Sequence, residues 1–265
     1  MSPTALNYRI AIPTKGRAEI LRRKTLMTLL AYGFPASIID IFCVEDERQI
    51  YMNRLIGGSY ANLISGAPGL ANQRAFIQDY YPAGQKILMI DDDISDFKSI
   101  LDYPLWEQFH VLFNLLETNN LKLFGIYPAS NLYFMKDKIQ KGLHYCIGSC
   151  FGIINCKDLL APMDEKEDYY NTFQKCQTDG AILRYCGISP VTTYWKGVGG
   201  MNDYRTDESE HQGAELLMQQ YPEYVQAVYR KKGGRWDLRL KKLPSVLLAN
   251  LSQEFANLYS PPTPS

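Results

Sequence analysis

The stretch Lys86-Ile-Leu-Met-Ile-Asp-Asp-Asp-Ile94 joins a run of apolar residues to three consecutive carboxylates. Lys86 to Ile90 has the composition and length of a buried strand, and the chain before it alternates strand-like and helix-like segments. That alternation is typical of a parallel sheet with helices on its faces. In open sheets of this class, ligands bind outside the carboxyl ends of the strands. The polar residues that follow each strand are therefore the candidates for function.

Hydrophobic periodicity predicts a βαβαβαβ order in the amino-terminal half of the chain. Strands are expected there at Tyr8–Ile12, Ile38–Val44, Asn62–Ile64 and Lys86–Ile90, and helices at Ala18–Leu30, Asp46–Ile56 and Leu70–Tyr80. In the carboxy-terminal half, helices are expected at Leu105–Glu117, Lys166–Gln177 and Ser209–Gln220, strands at Leu121–Gly125, Leu132–Met135, Tyr145–Ile154 and Ile182–Tyr185, and a basic hairpin at Tyr229–Leu240. No low-complexity linker divides the chain, so we predict a single α/β domain over residues 1–260 and a frayed tail at 261–265.

Composition and motifs argue against several classes of protein. The sequence contains no run of about 18 apolar residues, the length that a membrane helix needs, and its first residues do not resemble a signal peptide. We therefore expect a soluble, cytoplasmic protein with no membrane partner. The six cysteines contain no C-x-x-C pair, which argues against a zinc site. The lack of P-loop, H-E-x-x-H and G-x-S-x-G motifs argues against P-loop NTPases, zincins and ordinary serine hydrolases.

The net charge is zero, but the charges are segregated along the chain. Lys and Arg number 28, as do Asp and Glu, so no global field directs the protein to nucleic acid. Lys15–Lys24 and Tyr229–Lys242 are nevertheless basic, whereas Asp91–Asp96 and Asp164–Asp168 are acidic. Neutrality therefore does not exclude a polyanionic partner such as DNA.

The three carboxylates after the fourth predicted strand are the sharpest signal in the sequence. Like charges at such close range cost free energy unless a cation neutralises them. Alternate residues of an extended segment point the same way, so Asp91 and Asp93 can share one hard cation while Asp92 faces elsewhere. Mg²⁺ or Mn²⁺ bound by one or two carboxylates keeps open positions for substrate phosphates. The alternative interpretation is an exposed acidic loop.

Polar residues also follow the first two predicted strands. Pro13-Thr-Lys-Gly-Arg17 places a tight turn, a helix start and two cations where an anion can bind, although an ordinary solvated turn has the same composition. Glu45 and Asp46 can accept hydrogen bonds from a ribose or a base edge, or can simply cap the next helix.

These segments together resemble the nucleotide-sugar-dependent glycosyltransferases of the GT-A fold. The resemblance spans roughly residues 8 to 200 and rests on Ile10-Ala-Ile-Pro-Thr-Lys-Gly-Arg17, Gly69-Leu-Ala-Asn-Gln-Arg74, Asp91-Asp-Asp93 as the D-x-D motif, Gly148-Ser-Cys-Phe-Gly152 and Glu167-Asp168. Within that superfamily, the I-P-T-K-G-R opening and Gly199-Gly200 look most like the TET- and base J-associated glycosyltransferases, which add a sugar to a 5-hydroxymethylpyrimidine in DNA.

The resemblance implies a GT-A-like, Rossmann-like mixed central sheet flanked by helices, in a single domain with a basic C-terminal hairpin and helix. It also implies a nucleotide-sugar donor such as a UDP-sugar, and Mn²⁺ or Mg²⁺ as cofactor. Residues 8–95 would form the nucleotide-sugar-binding half and residues 96–260 the acceptor-binding half. The residues expected to bind the nucleotide-sugar are Pro13, Thr14, Lys15, Arg17, Glu45, Asp46, Asn72, Arg74 and Asp92. Asp91 and Asp93 would bind the metal. The family often supplies a further metal or diphosphate ligand from a late loop, and His211, Asp203 and Arg205 are the candidates here. His211 can equally be an ordinary surface or core residue.

The expected chemistry depends on the stereochemical outcome. Inversion at the anomeric carbon needs a carboxylate to take the proton of the acceptor hydroxyl, and Asp168 is the first candidate for that base, with Glu167 second. Both residues can equally be first-turn carboxylates favoured by the helix dipole. Retention of configuration needs no such base.

The basic hairpin favours a DNA acceptor, because cations that bind phosphates and aromatic rings that stack on bases occur together in it, although an ordinary solvated hairpin has the same composition. An enzyme acting on a base in duplex DNA would also have to extrude that base. The expected acceptor-binding residues are Tyr194, Trp195, Gly199, Gly200, Tyr204, Arg205, Arg230, Lys231, Lys232, Arg235 and Trp236. The alternatives are a glycan, protein or small-molecule acceptor, a nucleotidyltransferase, or a non-catalytic nucleic-acid-binding module of the same fold.

Overall fold

The structure of the chain is a computed structural model that describes residues 6–192, 200, 206–230 and 235–259. At residues 229, 230, 235, 236 and 259 it describes the backbone alone. The elements below are those of the described residues.

The amino-terminal half has the predicted βαβαβαβ order. Its strands are β1 (Tyr8–Pro13), β2 (Ile39–Val44), β3 (Asn62–Gly66) and β4 (Lys86–Ile90). Its helices are α1 (Ala18–Leu21), which continues through a π-helical turn (Arg22–Leu26) into α2 (Met27–Ala31), then α3 (Arg48–Arg54), which follows the 3₁₀ turn Glu45–Glu47, and α4 (Leu70–Tyr80).

The carboxy-terminal half is richer in short strands than the sequence predicts. Its strands are β5 (Asp96–Ser99), β6 (Leu123–Gly125), β7 (Ile139–Gly142), β8 (Cys150–Ile154), β9 (Ile182–Tyr185), β10 (Ile188–Val191), β11 (Val225–Arg230), β12 (Arg235–Leu240) and β13 (Val246–Ala249). Its helices are α5 (Leu105–Thr118), α6 (Glu167–Asp179), α7 (Asp207–Gln220) and α8 (Leu251–Tyr259). The sequence misses β5, β7, β10 and β13, and the predicted β11–β12 hairpin is confirmed.

The predicted strand Leu132–Met135 is wrong, because Asn131 turns the chain there. The side-chain Oδ1 of Asn131 accepts a hydrogen bond from Tyr133 N at 3.1 Å, and its carbonyl oxygen accepts one from Phe134 N at 3.1 Å. Asparagine favours turns because its side chain hydrogen-bonds to nearby backbone groups, which would otherwise pair with a neighbouring strand. The predicted strand Tyr145–Ile154 is also shorter, since only β8, its second half, joins the sheet.

Nine strands form one mixed sheet in the order β13-β7-β9-β6-β8-β4-β1-β2-β3. Strands β4, β1, β2 and β3 are parallel, and β8 pairs antiparallel with both β4 and β6. The chain runs outward from β1 to β2 and β3 and then returns to place β4 on the other side of β1. Connections therefore leave β1 and β4 in opposite directions, which opens a crevice at the carboxyl ends of these two strands.

β1 and β4 are buried because apolar residues pack on both faces of the sheet. On one face, Ile10 and Leu88 pack in a cluster with the apolar side of α5. On the other, Ala11 and Met89 pack in a cluster with Ile77 of α4. This alternation with a period of two residues fixes the register of the strands and so the position of the residues that follow them.

Candidate active site

A cavity of about 240 Å³ lies at the carboxyl ends of β1 and β4. It is lined by Pro13, Thr14, Lys15, Arg17, Val44, Ala67, Gly69, Leu70, Gln73, Arg74, Asp91, Asp92, Asp93, Tyr145, Ile147, Gly148, Ser149, Asp164, Lys166, Glu167, Asp168, Thr192 and Gly200. The cavity thus brings together residues from both halves of the chain at the crevice that the strand order creates.

The three aspartates leave β4 in a turn instead of continuing as an extended segment. Asp91 N still donates to Ser149 O at 2.9 Å, and Thr25 Oγ1 donates to Asp91 O at 2.8 Å. The same hydroxyl oxygen accepts a hydrogen bond from Ile94 N at 2.9 Å, so Thr25 holds both ends of the turn. The extended geometry expected for the triplet is therefore wrong, although the side chains of Asp91 and Asp93 both line the cavity.

Asp92 is buried and connects the end of β4 to the end of β1. Its Oδ2 accepts a hydrogen bond from Thr14 Oγ1 at 2.6 Å, and Arg17 Nη1 donates to its Oδ1 at 3.2 Å. Thr14 also shares a hydrogen bond of 2.8 Å with the hydroxyl of Tyr51 on α3. Through these contacts, Asp92 holds the turn that follows β1.

Asp91 and Asp93 have separate partners at the cavity wall. Arg74 Nη2 lies 3.2 Å from Asp91 Oδ1, and Thr192 Oγ1 donates to Asp93 Oδ1 at 2.6 Å. Arg17 Nη1 lies 3.8 Å from Asp93 Oδ2. Two guanidinium groups therefore face three neighbouring carboxylates.

The electrostatics of the turn favour additional positive charge. Burial raises the pKa of Asp91 to about 7, with Asp93 adding to the shift and Arg74 opposing it. Burial likewise raises the pKa of Asp92 to about 6, opposed by Arg17 and by the hydrogen bond from Thr14. Each shift means that the ionised carboxylate is destabilised in this site, and a divalent cation in the cavity would reverse that cost.

Arg74 lies at the centre of the site and is almost fully buried, with 4% of its side chain exposed. Its Nη1 donates to Glu167 Oε1, its Nη2 donates to Gly148 O at 2.7 Å, and its guanidinium lies 5.0 Å from the centre of the Phe151 ring. A Cβ atom at position 148 would come within 3.1 Å of Glu167 Oε1, so the glycine leaves room for this ion pair.

The two adjacent carboxylates at the start of α6 differ in environment. Glu167 is ion-paired with Arg74, has 6% of its side chain exposed, and accepts a hydrogen bond from Asn171 Nδ2 at 2.8 Å. Asp168 accepts hydrogen bonds from the Tyr145 hydroxyl at 2.5 Å and from Gly148 N at 3.2 Å, and no cation pairs with it among the described residues. Asp168 is therefore the better placed of the two to accept a proton.

Several expected nucleotide-sugar residues line the cavity, and others lie apart from it. Pro13, Thr14, Lys15, Arg17, Arg74 and Asp92 line it. Glu45 and Asp46 are exposed on their 3₁₀ turn, and Asn72 is exposed and donates to Pro68 O at 3.2 Å; none of the three is among the lining residues described.

His211 and the predicted acceptor residues have mixed outcomes. His211 lies on α7, with Nε2 3.2 Å from Glu215 Oε1, and is not among the described cavity-lining residues. Gly200 does line the cavity, and its N–H donates to Lys15 O at 3.1 Å. Arg230 is the last residue of β11, and Arg235 and Trp236 are the first two residues of β12, so all three belong to the hairpin. Asp203, the other candidate for a further ligand, and Tyr194, Trp195, Gly199, Tyr204, Arg205, Lys231 and Lys232 lie outside the described residues.

Four polar lining residues, Tyr145, Asp164, Lys166 and Thr192, belong to none of the predicted sites or motifs, because they reach the cavity from loops distant in sequence. Thr192 follows β10, and Tyr145 lies between β7 and β8. Asp164 Oδ1 accepts a hydrogen bond from Ala71 N at 2.7 Å, at the start of α4. Lys166 has a φ of 59°, a left-handed conformation that is strained for a residue with a side chain. Only Asp164, in an acidic segment, carried a signal in the sequence.

Two further properties concern the described residues as a whole. In the described part of the chain, no group of three or more His, Cys, Asp or Glu side chains is arranged to hold a metal ion. The described helices include none that is long and apolar enough to cross a membrane.

Comparison with known proteins shows the fold. No family model matches the chain, and no curated protein sequence does. Mannosyl-3-phosphoglycerate synthase from Rubrobacter xylanophilus superposes with a TM-score of 0.50 at 12% identity, over 95% of this chain and 89% of that one. Glucosyl-3-phosphoglycerate synthase from Mycobacterium tuberculosis, in complex with Mg²⁺ and UDP, gives 0.50 at 10% identity, over 91% and 90%. A mycobacterial protein gives 0.52 at 10% identity, over 92% and 87%. The predicted GT-A-like fold class is confirmed.

Proposed function

We propose that the chain is a metal-dependent glycosyltransferase that moves a sugar from a nucleoside diphosphate sugar to an acceptor hydroxyl. One observation carries the proposal: Asp91 and Asp93 line the same cavity as Asp168, at the crevice between β1 and β4. This arrangement provides carboxylates for a cation and a separate carboxylate for a proton. The glucosyl-3-phosphoglycerate synthase of the same fold holds Mg²⁺ and UDP, which makes UDP-sugars the first donors to test.

The residues at the turn fit a divalent cation. The pKa values of Asp91 and Asp92 are raised by burial, so positive charge in the cavity would be stabilising. The side chain of Asp92 is only 7% exposed, against 35% for Asp91 and 17% for Asp93, so Asp91 and Asp93 are the carboxylates that an ion in the cavity could reach. Hard cations such as Mg²⁺ and Mn²⁺ are bound through one or two carboxylates together with substrate phosphates. Such a cation, when bound, supplies a Lewis acid that stabilises the negative charge of a departing diphosphate.

The residues after β1 would bind the donor phosphates. Lys15 and Arg17 line the cavity beside the aspartate turn, and Gly200 closes over them through its hydrogen bond to Lys15 O. A Cβ atom at position 200, where φ is 63°, would lie 2.8 Å from Arg17 Cζ, so a glycine allows this close approach. The two cations would orient the diphosphate.

Asp168 would act as general base in an inverting transfer. The acceptor O–H bond breaks as its proton moves to Asp168, and the acceptor oxygen bonds to the anomeric carbon. The bond from that carbon to the donor phosphate oxygen breaks, and its electron pair leaves with the diphosphate. Glu167 is paired with Arg74 and would take no part in the proton transfer.

A hydroxymethylated pyrimidine in DNA is the acceptor that we propose. The support is the sequence of the β11–β12 hairpin, in which seven Lys and Arg residues between Tyr229 and Lys242 accompany Trp236. Cations and aromatic side chains in such a strand pair suit a phosphate backbone and an unstacked base.

The donor half of the proposal is tested by incubating the protein with UDP-sugars and Mn²⁺ and measuring released UDP. We expect turnover that EDTA abolishes and that Asp91→Asn reduces by at least about 100-fold, the scale of losing a group that stabilises transition-state charge. The matched control is Asp102→Asn, since Asp102 is exposed and lies outside the cavity. Equal turnover by Asp91→Asn and the wild type would refute the assignment.

The acceptor half is tested separately, by adding 5-hydroxymethylcytosine or 5-hydroxymethyluracil DNA and analysing the nucleosides by mass spectrometry. A hexose or pentose mass increment is expected. Donor hydrolysis without any increment would reject DNA and leave a glycan, protein or small molecule as acceptor.

A further inference from the structure

Among the described residues, three hydrogen-bond donors hold the Asp168 carboxylate. Its Oδ2 accepts from the Tyr145 hydroxyl at 2.5 Å and from Gly148 N at 3.2 Å, and its Oδ1 accepts from Tyr169 N at 2.9 Å. An ionised carboxylate is an acceptor only, so in each contact the proton belongs to the partner. Two of the three donors are backbone groups; Tyr145 is the one side chain among them.

The ring of Tyr145 is fixed by packing as well as by this bond. It stacks on Tyr169 with ring centres 4.5 Å apart and planes inclined at 30°, and Tyr169 packs against Phe173 on the same side of α6. Phe173 is fully buried. The hydroxyl is therefore carried by a ring that packs against α6, and packing of this kind helps to hold a carboxylate in one orientation.

The distribution of donors distinguishes the two oxygens of the carboxylate. Each oxygen offers two lone pairs, about four sites in all. Oδ2 uses both of its sites for Tyr145 and Gly148, whereas Oδ1 uses one for Tyr169 N. Counting the donors of the described residues, the oxygen with a lone pair left is Oδ1.

We infer that Tyr145 is a positioning residue for the reaction: its hydroxyl holds Asp168 Oδ2, so that Oδ1 receives the proton of the acceptor. This inference rests on the proposed function. Tyr145 takes no proton and touches no reacting atom, and its effect passes through Asp168 alone. Rotation of an unrestrained carboxylate would cost part of the advantage of a fixed base.

The first test is Tyr145→Phe, which removes the hydroxyl and keeps the stacking ring. We expect kcat to fall about 10- to 100-fold, the range for a lost hydrogen bond to a charged group, with little change in donor KM. Tyr103→Phe is the matched control, since Tyr103 also stacks on a ring, that of Phe255 at 4.1 Å, away from the cavity. Wild-type kcat in Tyr145→Phe overturns the inference.

A double-mutant cycle separates positioning from a general structural effect. If Tyr145 acts through Asp168, adding Tyr145→Phe to Asp168→Asn lowers the residual kcat no further. Losses that multiply overturn the inference. Failure of the proposed function shows differently: the wild type turns over no UDP-sugar, or Asp168→Asn is as active as the wild type.

A crystal structure of Tyr145→Phe decides the inference even without turnover. We expect the Asp168 carboxylate to rotate or to occupy two conformers, while the ring at position 145 stays stacked on Tyr169. A carboxylate that keeps its place beside Gly148 N overturns the inference.

Discussion

Replacing Glu167 by methionine removes one carboxylate from the buried cluster and leaves Arg74 with fewer partners. Arg74 and Glu167 have only 4% and 6% of their side chains exposed, so their ion pair is shielded from water. Breaking a pair of this kind by removing one member costs about 3–5 kcal/mol, because the other charge stays buried without compensation. Arg74 keeps Asp91 at 3.2 Å and Gly148 O at 2.7 Å. The cost should therefore lie near the lower end, at about 3 kcal/mol.

Thermal unfolding measures this cost. A chain of this size loses about 2 °C of Tm per kcal/mol, so Glu167→Met should lower Tm by about 6 °C. Glu19→Met is the control, since Glu19 pairs with Arg22 and Arg23 at the surface and solvent-screened pairs contribute little. Its Tm should be nearly that of the wild type. Equal Tm shifts in the two variants would refute the reasoning that Arg74 and Glu167 form a buried structural pair.

Two further predictions concern pH and packing. In metal-free protein, Tm should fall as pH rises through the pKa values of Asp92, about 6, and Asp91, about 7. Because these pKa values are raised, the native state binds more protons than the unfolded state above the ordinary carboxyl range, and stability is lost as the protons leave. The fall should be smaller in Asp91→Asn, and identical melting profiles of the two proteins between pH 5 and 8 would contradict the prediction. Gly152→Ala should lower Tm by about 2–6 °C, corresponding to about 1–3 kcal/mol of overpacking, since the new Cβ would lie 2.2 Å from the Phe124 ring. Gly57→Ala, with open space around the new Cβ, should leave Tm unchanged, and an equal loss in both alanine variants would refute the packing argument.

The parts of the fold that could be predicted are those with a long or strongly apolar pattern. β4 is buried at all five positions, and its run from Lys86 to Ile90 is predicted to the residue. β5 and β10 are four residues each, pair only with one another in the described structure, and include polar residues and Pro190. Short strands of that composition have no periodicity to read.

The site shows the same division. The Asp91–Asp93 triplet and Asp168 stand out in the sequence because carboxylates beside a buried strand or at a helix start demand an explanation. Thr192 and Tyr145 do not, since their roles arise from contacts with Asp93 and Asp168 across 99 and 23 positions of the chain. The burial that raises the pKa of Asp91 is likewise a property of the folded cavity.

The most direct test of the central claim is calorimetric titration of UDP into the protein with and without Mn²⁺. If Asp91 and Asp93 bind the metal, UDP should bind in the presence of Mn²⁺, and EDTA should abolish that binding. Asp93→Asn should lose the metal-dependent part of the UDP affinity, whereas Asp102→Asn should retain it. UDP binding of equal affinity with and without Mn²⁺, or unchanged by Asp93→Asn, would contradict a metal-dependent glycosyltransferase site at this turn.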